Sequence, residues 1–276
     1  MTARSPICAD SRSPEASLLW DQVGGITVLT LNRPRTRNTL SEQMLEALGA
    51  EFTAIAHDRR VRAVVLAAKG PAFSAGHDLK ELTARRSDPD HGRAYFRHIM
   101  LTCSTMMQQI VRLPQPVIAA VQGTATAAGC QLVSSCDLAV ASAEAKFGVS
   151  GINAGLFCST PMVALSRNVA RKHAMEMLLT GDLISAQEAL RIGLINRIGP
   201  AGTELDLALT LARKIADKSS HVVKLGKEAF YRQLEMSLDK AYRYTAEVMV
   251  ENLLARDAEE GISAFLDKRP PNWEDR

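Results

Sequence analysis

Short apolar runs alternate with stretches of helical periodicity along the first 200 residues of the chain. Two apolar segments around Gly24-Gly25 predict a β-hairpin at the start. Three later runs, at residues 61–67, 117–121 and 138–141, are almost entirely apolar and predict buried strands. Elsewhere apolar residues recur every three or four positions, which predicts helices. The segments with this spacing are residues 44–55, 95–111, 160–180 and 185–192, and a short strand is predicted at 194–198.

The pattern changes after residue 200, because nearly all apolar positions from 203 to 265 have helical spacing. We therefore predict a disordered leader at residues 1–16, an α/β core at 17–200 and a helical region at 201–276. Three helices with apolar stripes in the last region favour oligomerisation.

Two predicted helices begin with capping-box spacing, in which a hydroxyl side chain stands three residues before a glutamate. The pairs are Thr39 with Glu42 and Ser185 with Glu188. Residues 84–92 are charged and irregular, which predicts a mobile loop between helices.

The composition is that of a globular protein with a sizeable core, since the 276 residues are 46% hydrophobic and 23% charged. A net charge of +3 does not indicate a nucleic-acid partner. The five cysteines are odd in number and form no CxxC pair, so we predict neither a disulfide framework nor a metal site. Free thiols favour a cytoplasmic protein, or one of the mitochondrial matrix if the organism is eukaryotic. No apolar run approaches the roughly 20 residues of a membrane span.

The central motif, residues 123–137, combines a strand end, a turn of small residues and a helix start. No side chain larger than threonine stands between Gly123 and Gly129. Small residues let another group approach the backbone closely. The first N–H groups of a helix have no partner inside it, and the helix dipole favours negative charge there. The motif is either a place to hold developing negative charge or a tight turn packed on the core.

A second turn of this kind, residues 73–80, also follows a predicted buried strand. Turns after neighbouring parallel strands meet at one edge of a sheet. Two backbone N–H groups aimed at one carbonyl oxygen would form an oxyanion hole, in which each donor contributes about 3–4 kcal/mol. We therefore expect the two turns to face each other.

Three segments of the chain together resemble the crotonase (enoyl-CoA hydratase/isomerase) superfamily. They are residues 72–80, 116–123 and 128–137. The resemblance covers residues 18–270 and includes segments 180–189 and 193–198, while residues 155–161 and 257–265 resemble one subgroup of the superfamily. It implies a crotonase-like spiral of ββα units with a C-terminal helical trimerisation region. It also implies a homotrimer or dimer of trimers that binds an acyl-CoA thioester and needs no further cofactor.

The resemblance implies that the two oxyanion donors are the backbone N–H groups of His77 and Ala128. The His77 side chain then has a structural or rim role rather than a catalytic one. Hydratases of this superfamily handle water with two glutamates, because one can be protonated while the other is not. The corresponding positions here are Gln131, which can orient a water but cannot take its proton, and Gly151, which offers only space.

Other polar side chains near these motifs each have a structural and a chemical interpretation. Asp78 either caps a helix or acts as an acid, and Glu81 faces either the pocket or solvent. His98 is either a partly buried structural histidine or a base. The remaining positions, either core residues or nucleophiles, are Cys130, Cys158, Ser150 and Ser159.

Coenzyme A carries phosphates, so basic residues at the mouth of the pocket fit the implied ligand. The resemblance implies that the substrate-binding positions are Arg35, Ala75, Asp78, Leu79, Lys80 and Lys268. Arg33, Arg37 and Arg269 are further basic candidates at the same places, and each basic residue is otherwise a solvated surface charge.

Three functions remain open from the sequence. The first is an enzyme of the enoyl-CoA hydratase/isomerase type that stabilises a thioester enolate. The second is a non-catalytic acyl-CoA-binding or regulatory protein, suggested by the absence of both glutamates. The third is an acyl-CoA hydrolase or decarboxylase on the same scaffold, since decarboxylation needs the oxyanion hole but less proton transfer.

Overall fold

The computed structural model describes residues 16–276, so the predicted leader lies outside the described part of the chain except for residue 16. The strands are β1 (Leu18–Val23), β2 (Ile26–Leu31), β3 (Ala63–Ala68), β4 (Ala72–Ser74), β5 (Val117–Val121), β6 (Thr124–Thr126), β7 (Leu138–Ser142), β8 (Lys146–Gly148), β9 (Ile184–Ser185) and β10 (Arg197–Gly199). The helices are α1 (Glu42–Ala56), α2 (Leu79–Ala84), α3 (Arg93–Arg112), α4 (Ala128–Ser135), α5 (Pro161–Asn168), α6 (Arg171–Thr180), α7 (Ala186–Arg191), α8 (Glu204–Ala216), α9 (Ser220–Gln233), α10 (Leu238–Leu254) and α11 (Arg256–Leu266).

Two sheets run side by side through the core. The larger has the order β1-β2-β3-β5-β7-β10 and is parallel except for the β1–β2 hairpin. The smaller has the order β4-β6-β8-β9. After β3, β5 and β7 of the large sheet, the chain passes directly into β4, β6 and β8 of the small one. These repeated strand pairs, each followed by helical turns, confirm the predicted ββα arrangement.

The large sheet is buried on both faces. Side chains alternate along a strand, so Val64 and Leu66 of β3 enter one apolar cluster, while Val65 and Ala67 enter another. The second cluster includes α8, which packs across the sheet from the C-terminal region. Apolar residues on both faces explain why the three central strands have continuous apolar sequences.

The β3–β4 and β5–β6 connections, which link the two sheets, contact each other through their backbones. A Cβ atom built on Gly123, between β5 and β6, would lie 2.3 Å from the Pro71 carbonyl oxygen. Only glycine allows this approach. The β5–β6 connection is therefore held directly against the β3–β4 connection.

Several predicted boundaries are wrong in detail. Ser41 rather than Thr39 caps α1, because its side chain accepts the Met44 N–H. The single helix predicted at residues 160–180 is two helices, since Val169 and Ala170 have extended ψ angles of 156° and 144°. The strand predicted at 194–198 begins only at Arg197. The Ser185 cap of α7 is confirmed by its bond from the Glu188 N–H.

The C-terminal region contains four helices rather than the three expected. A buried ion pair joins this region to the core: Lys227 of α9 donates to Asp137 at 2.7 Å and to the carbonyls of Ile110 and Gln115. Tyr231 donates to the other Asp137 oxygen at 2.9 Å. Within the described residues no helix is long and apolar enough to cross a membrane.

Candidate active site

The two small-residue turns meet, as the sequence predicts. Residues 75–78 follow β4, and Ala127-Ala128 follow β6, which pairs in parallel with β4. A Cβ atom built on Gly76 would lie 2.9 Å from the Ala127 Cβ and 3.1 Å from the Ala128 nitrogen. The backbone that carries the His77 N–H thus lies against the backbone that carries the Ala128 N–H.

Ala128 opens α4, so its N–H has no carbonyl partner within that helix. The preceding residue, Ala127, has φ 51° and ψ −122° and no side-chain cap. This conformation is ordinarily reserved for glycine. Gly129 packs so closely on β4 that an added Cβ would lie 2.1 Å from the Ser74 carbonyl oxygen. The strained turn therefore fixes the Ala128 N–H against the neighbouring strand.

Asn38 is the positioning residue that the sequence analysis missed. Its fully buried amide donates to the carbonyls of Lys69 and Ala72 and accepts from the Arg33 N–H. Its own carbonyl accepts from the Ser74 hydroxyl. Asn38 has φ 52°, a left-handed conformation that asparagine tolerates better than most residues. The signal was an asparagine at the end of a polar loop, but its bonds run to residues 31 and 34 positions away.

Gln131 lies one turn into α4 and is only 4% exposed. Its side-chain oxygen is buried and accepts no hydrogen bond within residues 16–276. A buried acceptor without a partner is costly. Gln131 therefore combines an unpartnered buried oxygen with a side chain that has no titratable proton.

Gly151 offers no space, contrary to the prediction. A Cβ atom on Gly151 would lie 2.5 Å from the Leu156 carbonyl oxygen and 2.7 Å from the Cys158 Sγ. The loop closes on itself, because the Leu156 N–H donates to the Gly151 carbonyl at 2.9 Å. The Cys158 sulfur fills the place in which a side chain at position 151 would begin.

The thiols near the site are poor nucleophiles in this state. Burial raises the pKa of Cys130 to about 12. Burial also raises the pKa of Cys158, although the Gly151 N–H acts in the opposite direction. Both thiols therefore remain protonated near neutral pH, which favours the interpretation as small core residues. The Ser150 hydroxyl bonds to Thr126, and the Ser159 hydroxyl bonds to the Phe157 carbonyl.

The His77 imidazole is buried at both ring nitrogens, and neither makes a well-formed hydrogen bond within the described chain. Burial is the main cause that lowers the pKa of His77, and the Leu40 backbone acts in the opposite direction. The ring is therefore neutral at physiological pH. Its unused hydrogen-bonding capacity distinguishes it from a structural histidine with satisfied partners.

Three other polar side chains have structural partners. Asp78 caps α2 by accepting the N–H groups of Lys80 and Glu81. The Glu81 side chain accepts the Glu42 N–H at the start of α1, so it ties α2 to α1. His98 pairs with Glu42 at 3.0 Å on the exposed surface. These contacts favour the structural interpretation for all three.

The basic candidates are mostly free for a ligand. Arg33, Arg35 and Arg37 lie on an exposed loop, and Arg37 contacts the turn after β4 because its carbonyl accepts the Ala75 N–H. Leu79 and Lys80 are exposed, and so is Lys268. Arg269 is different, because it forms a two-armed ion pair with Glu260. That pair lowers the pKa of Glu260 to about 2.

Comparisons with known proteins identify the family and support the fold. A family model described as enoyl-CoA hydratase/isomerase matches residues 21–276. The enoyl-CoA hydratase domain-containing protein 3 of Homo sapiens, mitochondrial by its name, is 49% identical over 91% of this chain and 82% of that protein. Its crystal structure superposes with a TM-score of 0.89, at 49% identity over 93% of this chain and 100% of that chain. An enoyl-CoA hydratase structure from Mycobacterium smegmatis also has a TM-score of 0.89, at 52% identity over 94% of this chain and 99% of that chain.

Residues 155–161 and 257–265 predict a likeness to one subgroup of the family. These relatives confirm that likeness, and the subgroup is enoyl-CoA hydratase domain-containing protein 3. Family membership rests on a match over almost the whole described chain and on a fold shared with solved members. The chain belongs to the enoyl-CoA hydratase/isomerase family.

Proposed function

We propose that this chain is an acyl-CoA enzyme of the enoyl-CoA hydratase/isomerase type, in which the N–H groups of His77 and Ala128 bind the thioester oxygen. The observation that carries the proposal is the approach of the two turns, with the Gly76 Cβ position 3.1 Å from the Ala128 nitrogen. Such preorganised donors stabilise the negative charge of an enolate more than they stabilise the neutral thioester. The ligand's thioester therefore lies across the junction of β4 and α4.

The exposed arginine loop supports a phosphate-bearing ligand. Arg35 and Arg37 flank a turn whose backbone bonds directly to Ala75 beside the oxyanion turn. Lys80 lies just beyond that turn on the exposed side of α2. Guanidinium and ammonium groups bind phosphate through charge-assisted hydrogen bonds. These residues are the ones that we assign to the coenzyme A moiety.

Water addition is the reaction that the site supports least. Gln131 has no proton to exchange, and the Gly151 position is closed by Leu156 and Cys158. General acid–base catalysis commonly contributes about 10²–10⁴-fold. The site therefore suits reactions that need enolate stabilisation with little proton transfer, such as decarboxylation, better than it suits hydration.

The absence of a titratable group at Gln131 and the closed position at Gly151 also favour a second candidate function, which is acyl-CoA binding without turnover. The two candidates are separated by adding crotonyl-CoA and a malonyl-type thioester to the purified protein. Calorimetry measures binding, and chromatography of the thioesters measures turnover. Binding with product supports the enzyme, and binding without product supports the second candidate. If neither thioester binds to the folded protein, both candidates are rejected.

We also propose that the chain forms a homotrimer or a dimer of trimers. The support is an exposed apolar surface on the last three helices, on which Leu238, Leu254 and Phe265 are 76%, 77% and 82% exposed. Exposed apolar area of this extent is typical of an interface. Light scattering that shows a monomer at micromolar concentration would reject this assembly.

A further inference from the structure

A cavity of about 530 Å³ lies at the edge of the large sheet where β3 and β5 begin. Its lining residues Arg62 and Gln115 lie just before those strands, whereas the proposed oxyanion turns follow β4 and β6, which the chain enters after β3 and β5 have ended. The remaining walls are the end of α1 with the loop after it, the end of α8, the start of α9 and the C-terminal residues Glu274 and Asp275. The cavity has the size of common small-molecule sites, which are about 300–1,000 Å³.

The lining carries an excess of positive charge. Arg59, Lys218 and Lys224 have no acidic partner within residues 16–276. The two acids of the lining are already paired. Asp275 binds Arg62 at 2.7 Å. Glu274 forms ion pairs with Arg256 and Arg276, which neutralise its charge. Three unpaired cations around one concave surface attract an anion.

The amide of Gln115 joins two walls of the cavity. Gln115 is 8% exposed, and its side-chain nitrogen donates to the carbonyls of Ile55 and Asp58. These two bonds hold the end of α1 against the segment before β5, so this part of the cavity is preformed in the folded chain.

We propose that this cavity binds a small organic phosphate. Arg59, Lys218 and Lys224 bind the phosphate through charge-assisted hydrogen bonds. The site is separate from the proposed acyl-CoA site and does not depend on the function proposed there.

The test is calorimetric titration of the full-length protein with AMP and, separately, with inorganic phosphate. AMP binds with a Kd below about 1 mM, which corresponds to at least about 4 kcal/mol. Inorganic phosphate binds more weakly, because it fills much less of the cavity and makes fewer contacts with its walls. The double variant Lys218→Gln/Lys224→Gln binds AMP at least about tenfold more weakly, since two charge-assisted contacts are lost. Added salt weakens AMP binding to the unchanged protein in the same direction.

Two controls locate the binding. Lys172→Gln removes an exposed lysine of α6 that is not part of the lining and leaves AMP affinity unchanged. Arg35→Gln/Lys80→Gln removes two cations assigned to coenzyme A and also leaves AMP affinity unchanged, which separates this site from the acyl-CoA site. The proposal is overturned if AMP does not bind at 10 mM, a concentration about ten times the expected Kd limit. It is also overturned if Lys218→Gln/Lys224→Gln binds AMP normally, if Arg35→Gln/Lys80→Gln abolishes AMP binding, or if inorganic phosphate binds as tightly as AMP.

Discussion

The Gly151 amide donates a 3.3 Å hydrogen bond to the sulfur of Cys158, and this contact closes the position to which the resemblance assigns a second glutamate. The same sulfur lies 2.7 Å from the Cβ position of residue 151. Substitution of residue 151 alone therefore does not make room for a carboxylate side chain. The closure of this position is a property of the whole 151–158 loop rather than of one residue.

The first prediction concerns the packing at Gly151. Gly151→Ala lowers the free energy of unfolding by about 1–3 kcal/mol, because the new methyl group must displace the Leu156 carbonyl and the Cys158 sulfur. Urea denaturation measures the change. Gly226→Ala is the matched control, since nothing lies within 4 Å of its Cβ position in α9, and it gains up to about 1 kcal/mol from helix propensity. Equal stability of the two variants would show that the 151–158 loop shifts to accommodate the methyl group without loss of stability.

The second prediction concerns access to the oxyanion hole. Gly76→Ala weakens acyl-CoA binding at least about tenfold, because its methyl group would crowd the Ala128 nitrogen at 3.1 Å. Calorimetry with crotonyl-CoA checks this change. Gly202→Ala is the control, because Gly202 has a φ of 85° against 87° for Gly76 but has open space around its Cβ position. Both variants lose about 1–2 kcal/mol of stability from the left-handed backbone, and only Gly76→Ala loses binding.

The third prediction concerns the strained residue before α4. Ala127→Gly raises the free energy of unfolding by about 1 kcal/mol, because glycine adopts φ 51° and ψ −122° without the clash of a Cβ atom. Thermal denaturation provides the measurement. Ala128→Gly, one residue later and within the helix, has the opposite effect and costs about 0.5–1 kcal/mol. A loss of stability in Ala127→Gly would mean that the turn is unstrained.

The fourth prediction concerns pH. Since the pKa of His77 in the folded protein lies below its ordinary value of 6.5, protons bind the unfolded chain more readily. The contribution of His77 to stability is therefore complete above about pH 6.5 and is lost as the pH falls toward the folded-state pKa. His77→Phe has no imidazole that can take up a proton. The free energy of unfolding of this variant, relative to that of the unchanged protein, therefore rises as the pH is lowered from about 7 to about 5. If the free energies of unfolding of the two proteins change with pH in parallel, the lowered pKa of His77 is contradicted.

The fifth prediction concerns the link between the C-terminal helices and the core. Lys227→Met leaves Asp137 without its cation and costs about 3–5 kcal/mol, as expected when one partner of a buried pair is removed. Tyr231→Phe removes one hydrogen bond to the same carboxylate and costs about 1.5 kcal/mol. Lys240→Met, at an exposed position of α10, changes stability by less than about 0.5 kcal/mol. Denaturation by urea ranks the three variants, and a different order would argue against the ion pair as the main link.

The sequence predicted those features that depend on local pattern. The central strands follow from continuous apolar runs, and the meeting of the two turns follows from parallel neighbours. The helix cap was one of the two interpretations of Asp78, and it could be derived from the sequence because the side chain binds N–H groups only two and three residues later. Features that depend on distant contacts were missed. The role of Asn38 requires knowledge of Lys69 and Ala72, which the chain brings together only after folding.

The same distinction explains the wrong predictions. Thr39 has the spacing of a helix cap, but its hydroxyl bonds instead to Asp78, 39 residues away. Gly151 suggested open space because glycine has no side chain, whereas the folded loop uses that absence to bring Leu156 and Cys158 close. In both cases a tertiary contact overrides the local preference.

The bond between Arg62 and Asp275 has a consequence for how the protein folds. It joins residues 213 positions apart, and the same carboxylate accepts the Ser220 N–H at the start of α9. The Trp273 indole adds a bond to the Asp217 carbonyl nearby. Contacts of such high sequence separation form late, because loop closure must precede them. On the ribosome, the large sheet can assemble while residues 273–275 are still being synthesised. The bonds from these residues to Arg62, Asp217 and Ser220, which hold α8 and α9 beside the edge of the sheet, therefore form only after translation has passed residue 275.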